Sequence, residues 1–164
     1  FEQYSNVFVY DSFKQILELD NYDDIVKISC IDCKLRHIPN LPKNLIRLDC
    51  HTNMLNKLPK LPDTLEQLYC ENNNIKELPE LPSKLDYLWC SQNKLTKLPE
   101  LPPAITSLCC DHNQLTEIPN VPVMLTEFYC NNNKIKQLPS FINSSLSIFD
   151  CGQRNARLSI RQSG

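Results

Sequence analysis

The sequence predicts a repeat solenoid: a thin, right-handed coil of about seven short parallel strands, with an extended convex side and little helix. Three observations lead there. Cysteines recur every twenty residues at Cys30, Cys50, Cys70, Cys90, Cys110 and Cys130, with Cys151 one residue late. Around each runs one phrase, which in the second repeat reads Leu45-x-x-Leu48-x-Cys50-x-x-Asn53-x-Leu55-x-x-Leu58-Pro59. The prolines keep the same register, at Pro39/Pro42, Pro59/Pro62, Pro79/Pro82, Pro99/Pro102, Pro119/Pro122 and Pro139, with Pro103 the one extra. A fixed period of this length means that each unit buries its apolar face against the next copy.

The elements follow in chain order. Residues 1–24 precede the first repeat and read as an N-terminal cap. Within them, Phe13, Ile16 and Leu17 fall on one helical face, and Ser12 with Gln15 has the spacing of a capping box, so a short amphipathic helix is expected over 11–19. The solenoid proper covers 25–151, with strands expected near 25–30, 45–50, 65–70, 85–90, 105–110, 125–130 and 146–151. Alternation along a strand sends Leu48 and Cys50 to the same, inward face. Strands stacked about 4.8 Å apart would give a sheet roughly 30 Å wide.

Each strand then turns at Asn53, Asn73, Asn93, Asn113 or Asn133, whose amides suit a corner that would otherwise bury unpaired backbone. Leu-Pro-x-Leu-Pro fills the return leg. Two prolines three residues apart remove amide donors and hold the chain extended, which favours a polyproline-like leg over a helix. Leu58 and Leu61 and their equivalents then point inward. The last rung gains a residue and carries Ile142 in place of its second proline, and residues 152–164 leave the motif as a tail or incomplete cap.

Composition bounds the function. The net charge is −2 with acidic and basic residues interleaved, which argues against a polyanionic partner such as nucleic acid. No apolar run approaches the roughly 20 residues a membrane span needs. No secretory leader is visible, although the chain begins at Phe1 rather than Met and the absence carries little weight. Nine cysteines are an odd number, and one inward cysteine per rung fits free, buried thiols in a reducing compartment. A cytoplasmic location is expected, in the host cytosol for a viral or effector protein.

Residues flanking the inward Leu and Cys face outward on the concave sheet and vary from rung to rung while the framework does not. Tyr69, Tyr87, Trp89 and Tyr129 gather near its middle, with Arg47, Asp49, Glu71, Asp111 and Glu127 around them. Aromatic residues with a polar rim have the make-up of an interface anchor. Against this stands the reading that they pair across rungs merely to stabilise the sheet. Cys30-x-x-Cys33 lacks two further ligands for zinc, since Cys30 belongs to the core column. Cys109-Cys110-Asp111-His112 suggests a catalytic cluster, but Cys110 turns inward and the carboxylates near Cys109 disfavour a thiolate. No catalytic residue, metal site or cofactor is expected.

The phrase Leu-Pro-x-Leu-Pro-x-x-Leu-x-x-Leu-x-Cys-x-x-Asn-x-Leu resembles the short, twenty-residue class of leucine-rich repeats, over about residues 25–151. That class is known from secreted bacterial effectors that act inside host cells, some of them ubiquitin ligases. Stretches such as Leu65-Glu-Gln-Leu-Tyr-Cys70-Glu-Asn-Asn73 also resemble leucine-rich repeat proteins of giant amoeba-infecting viruses. The resemblance implies a recognition role, the repeats selecting a partner protein. In the ligases a separate C-terminal domain holds the catalytic cysteine, and residues 152–164 are too few to supply it.

The expectation is therefore a non-enzymatic module that binds a protein partner, such as a host protein, through its concave sheet. One alternative is a structural role, for example in a virus particle, with self-association through the ends near Ile148 to Arg157. The other is the recognition half of a longer ligase-type effector.

Overall fold

A computed structural model describes residues 6–8, 20–139 and 146–152. Its framework is a single sheet in chain order. The strands are β1 (Asn6–Phe8), β2 (Lys27–Ser29), β3 (Arg47–Asp49), β4 (Gln67–Tyr69), β5 (Tyr87–Trp89), β6 (Ser107–Cys109), β7 (Glu127–Tyr129) and β8 (Ile148–Asp150). All neighbours pair in parallel, and equivalent residues of successive repeats face one another, as in Leu48↔Leu68↔Leu88↔Leu108↔Phe128. All seven expected strands are present, each three residues long inside its expected six-residue window. An eighth, β1, pairs with β2 from within the stretch read as a cap. The helix expected over 11–19 lies outside the described residues, as does the tail beyond Gly152. A 3-10 turn, Tyr22–Asp24, leads into β2.

The interior is a stack of identical columns. Leu45, Leu65, Leu85, Ile105 and Leu125 form one, Leu48 to Phe128 the next, and Cys50 to Cys130 a third, all shut off from solvent. Leu55, Ile75, Leu95 and Leu115 form a fourth beyond the corner. Burying a side chain of this size contributes about 1.5–3 kcal/mol, so the columns supply most of the driving force. Leu58, Leu61, Leu78 and Leu81 close the core from the return legs, as expected.

The asparagines form the expected ladder, and its bonding explains the residue type. Asn93 Nδ2 donates to the carbonyls of Cys70, Cys90 and Ser91 at 2.9, 3.2 and 3.2 Å, while its Oδ1 accepts from Ile75 N at 3.0 Å. Asn53, Asn73, Asn113 and Asn133 repeat the donor pattern on their own rungs. One side chain thus accepts one amide and donates to three carbonyls across two rungs, whereas a hydroxyl has a single donor hydrogen and a carboxylate none. Just before each asparagine the chain enters the left-handed region, at Thr52 (φ 57°), Asn72 (52°), Gln92 (52°), His112 (52°) and Asn132 (52°). The first rung differs: Cys33 stands at the asparagine position, and both Asp32 and Lys34 have positive φ.

The return legs end in a repeated turn. The carbonyls of Pro42, Pro62, Pro82, Pro102 and Pro122 accept from the amide three residues on, at 3.0–3.2 Å. Proline lacks a donor but keeps its acceptor, so it fits the first position of this turn. Pro103 occupies the second position of the Pro102 turn, where a fixed φ near −65° is already the required geometry. Among the described residues no helix is long and apolar enough to cross a membrane.

Candidate functional site

Arg47, Asp49 and His51 show how the sheet presents its concave side chains. Alternation turns these three outward while Leu48 and Cys50 are buried, and the register repeats the arrangement on every rung. The outward column of β3–β8 therefore reads Asp49, Tyr69, Trp89, Cys109, Tyr129, Asp150, and its neighbour Arg47, Gln67, Tyr87, Ser107, Glu127, Ile148.

Two networks organise this face. The first crosses β3 to β7. Asp49, itself buried, accepts from Arg47 Nη2 at 3.2 Å and lies 2.6 Å from His51 Nδ1. The Arg47 guanidinium also reaches Gln67 Oε1 at 3.4 Å and lies over the Tyr69 ring, 4.4 Å from its centroid. Tyr69 meets Trp89 edge to face, with centroids 5.5 Å apart and planes at 71°. Trp89 Nε1–H donates to Ser107 Oγ at 3.1 Å, and Ser107 Oγ donates to Glu127 Oε2 at 3.0 Å. Cation, two rings, hydroxyl and carboxylate form one continuous path. Burial raises the Tyr69 phenol above its ordinary value, partly offset by the Arg47 charge.

The second network runs along the column just after the cysteines. Ser91 Oγ lies 2.9 Å from Cys109 Sγ, which reaches Asp111 Oδ2 at 3.8 Å. Asp111 Oδ1 in turn accepts the Asn131 amide. Burial raises the Asp111 carboxyl, and the Asp150 charge adds to the rise. Glu71, in the same column, is also raised by burial, and its Oε2 is shielded from solvent without a hydrogen-bond partner.

The nine sequence-picked residues all lie on one face, but not as equals. Arg47, Asp49, Tyr69, Trp89 and Glu127 belong to the first network, Asp111 to the second. Tyr87, Tyr129 and Glu71 sit on the same face, partly buried, with no side-chain partner in either network. The four aromatics are half-buried, so part of each serves cross-rung packing and part is offered to solvent. Sequence reasoning passed over Ser107 and Ser91, both buried, because nothing in a lone serine announces that it bridges two rungs. Their one signal was membership of the variable outward columns.

Seven of the thiols are held protonated and chemically quiet. All nine cysteines are free. Burial pushes Cys30 up to about 12 and raises Cys50, Cys70, Cys90, Cys110 and Cys130 well above the ordinary thiol range. Cys109, the outward one, is raised too, against the opposing hydrogen bond of Ser91. A thiol held protonated is a poor nucleophile and a poor metal ligand. Among the described residues no three His, Cys, Asp or Glu side chains are grouped to hold a metal ion. On the convex side an open groove runs over the return legs, lined by Pro79, Leu81, Pro99 and Leu101 with Lys60 and Glu100 at its rim.

With this geometry in hand, the likeness to known proteins is specific. Residues 63–103 match the family model for leucine-rich repeats in two copies. The chain resembles YopM from Yersinia enterocolitica, at 30% identity and a TM-score of 0.78, over 80% of this chain and 30% of that one. It resembles YopM, a leucine-rich effector protein from Yersinia pestis, at 31% identity and 0.70, over 79% and 44% of the two chains. A Shigella effector leucine-rich repeat domain gives 31% identity and 0.72, over 79% and 57%. The chain thus spans between about a third and three fifths of these structures. No curated protein matches the sequence. Its repeat phrase, its stacked parallel sheet and its likeness to bacterial effector domains give this chain the leucine-rich repeat fold, with residues 63–103 matched by the repeat family's own model.

Proposed function

We propose that this chain is a non-catalytic recognition module whose concave sheet binds a segment of another protein. The observation that carries the reading is the contrast within one chain. Inward positions repeat from rung to rung, whereas outward positions change and bring half-exposed aromatics together at the centre of the sheet. Trp89 and Tyr69 serve as anchors held by the first network, Tyr87 and Tyr129 extend the contact area, and Arg47, Asp49, Glu71, Asp111 and Glu127 set orientation. Aromatics of this kind, partly dry and ringed by polar groups, commonly dominate interface energies.

The quiet thiols suit a reducing compartment, so the cytoplasm is the proposed place of action. The effector proteins it resembles are longer than this chain, which makes a recognition arm the natural role for the repeats.

The test is a quantitative pull-down from host-cell lysate with the wild type and a folded Tyr87→Ala/Trp89→Ala variant. Proteins held by the wild type and lost with the double substitution support concave recognition. Identical protein sets would remove it and favour an assembly role, in which the solenoid ends and not the concave aromatics control association.

A further inference from the structure

From the concave face of β4–β8 we infer that the bound segment is basic, presenting arginine or lysine side chains to an aromatic and acidic floor. The inference rests on the concave-face reading above and names the chemistry of its partner. The three outward positions of each of these five rungs carry four carboxylates, Glu71, Asp111, Glu127 and Asp150, and no lysine or arginine. The whole chain, by contrast, is nearly balanced, with 17 basic and 19 acidic residues. The imbalance is therefore local. Opposed charge across an interface sets encounter rate and register.

Two further features point the same way. Glu71 keeps one buried carboxylate oxygen without a donor, and Asp111 faces the charge of Asp150, so positive charge above the column lowers the electrostatic cost of holding both ionised. At the β3–β4 edge the protein itself supplies the example: the Arg47 guanidinium lies on Tyr69 while bonding Asp49. An arginine over a ring with a carboxylate beside it is a favourable arrangement of both groups. Beyond Tyr69 the rings of Tyr87 and Trp89 lie between the rungs that carry Glu71 and Asp111, with no arginine or lysine on the outward positions of these rungs.

The experiment is fluorescence anisotropy with a labelled peptide of alternating arginine and serine, its glutamate-for-arginine counterpart serving as control. Three proteins are compared: the wild type, the isosteric Glu71→Gln/Asp111→Asn/Glu127→Gln variant, and Glu77→Gln/Glu100→Gln/Glu117→Gln, which removes equal charge at exposed sites off the concave face. Circular dichroism melts verify that all three fold. The expected result is binding of the arginine peptide alone, weakened roughly tenfold or more by the concave variant and less than about twofold by the control. No binding by the wild type, equal weakening by both variants, or equal binding of the glutamate peptide would overturn the inference. The two readings separate in the pull-down. Proteins lost with Tyr87→Ala/Trp89→Ala yet kept by the concave charge variant leave concave recognition standing and remove the basic segment.

Discussion

The inner and outer faces of one strand obey different rules. On β5 the inward Leu88 and the Cys90 that follows repeat what β4 and β6 carry, whereas the outward Tyr87 and Trp89 match neither Gln67 and Tyr69 nor Ser107 and Cys109. The inward side has little freedom, because each residue packs on its equivalent one rung away and must stay apolar and bulky, Phe128 being the largest departure from the leucine column. The outward side has only to keep the strand extended. Variation there is permitted by the fold and shaped by something else, which is why the partner should be read from that face.

The largest effect should come from breaking the repeated side. Leu88, fully buried between Leu68 and Leu108, becomes a cavity in Leu88→Ala. A loss of about 2–5 kcal/mol is expected in urea unfolding. Because a solenoid passes stability only between neighbours, the transition should also broaden as the two halves uncouple. An unchanged, equally sharp transition would show that the interior is less uniform than its columns.

Asn93→Ala breaks the same side by another route. It leaves the buried Ile75 amide without its acceptor, while the carbonyls of Cys70, Cys90 and Ser91 each lose one donor and keep another from Asn73, Asn113 and the Asn72 amide. A buried polar group left unpaired costs about 1–3 kcal/mol, so a loss in that range is expected. Thermal melts read this directly, and Asn93→Ser should recover little, since the serine hydroxyl stops one bond short of the Oδ1 that held the Ile75 amide.

What could be read beforehand divides along this same line. The strand positions, the cysteine column and the asparagine corner were legible, because a residue needed on every rung appears on every rung. The left-handed residue before each asparagine was not. Thr52, Asn72, Gln92, His112 and Asn132 share a backbone conformation across four different side chains, and none is glycine. Strand β1 was missed because residues 6–8 carry none of the phrase. The nine candidate residues were legible as a face. The path from Trp89 through Ser107 to Glu127 was not, since it depends on lateral register and side-chain rotamers rather than on residue type.

The next effects sharpen the outer face. Trp89→Ala should weaken binding of the partner by about 2 kcal/mol or more. Its folding cost should be smaller, about 1 kcal/mol, from the lost edge-to-face contact with Tyr69. Calorimetric titration beside a melt separates the two; a melt as damaged as that of Leu88→Ala would make Trp89 a packing residue. Thr52→Asn should stabilise by about 0.5–1 kcal/mol, because a β-branched side chain is strained at φ 57°. Asn72 and Asn132 already hold that position two other times, so the change asks nothing new of the fold.

The smallest and most diagnostic change is Glu71→Gln. Burial raises the Glu71 carboxyl above its ordinary value, with Asp49 adding to the rise and His51 opposing it. The folded chain therefore holds that proton more tightly than the unfolded chain does. The stability Glu71 contributes is complete below the unfolded carboxylate range, about pH 4, and is lost as pH rises through the raised value. Gln cannot ionise and keeps a donor for its buried neighbourhood. The variant should melt higher than wild type at neutral pH, and the gap should close as pH falls toward the carboxylate range. The same protein should bind a basic segment less well. A residue that costs the fold something at neutral pH and repays it only when a cation arrives is what a binding surface, and not a structural column, would keep. If Glu71→Gln instead lowers the neutral-pH melt, the carboxylate belongs to the framework, and the division between the two faces stops short of this column.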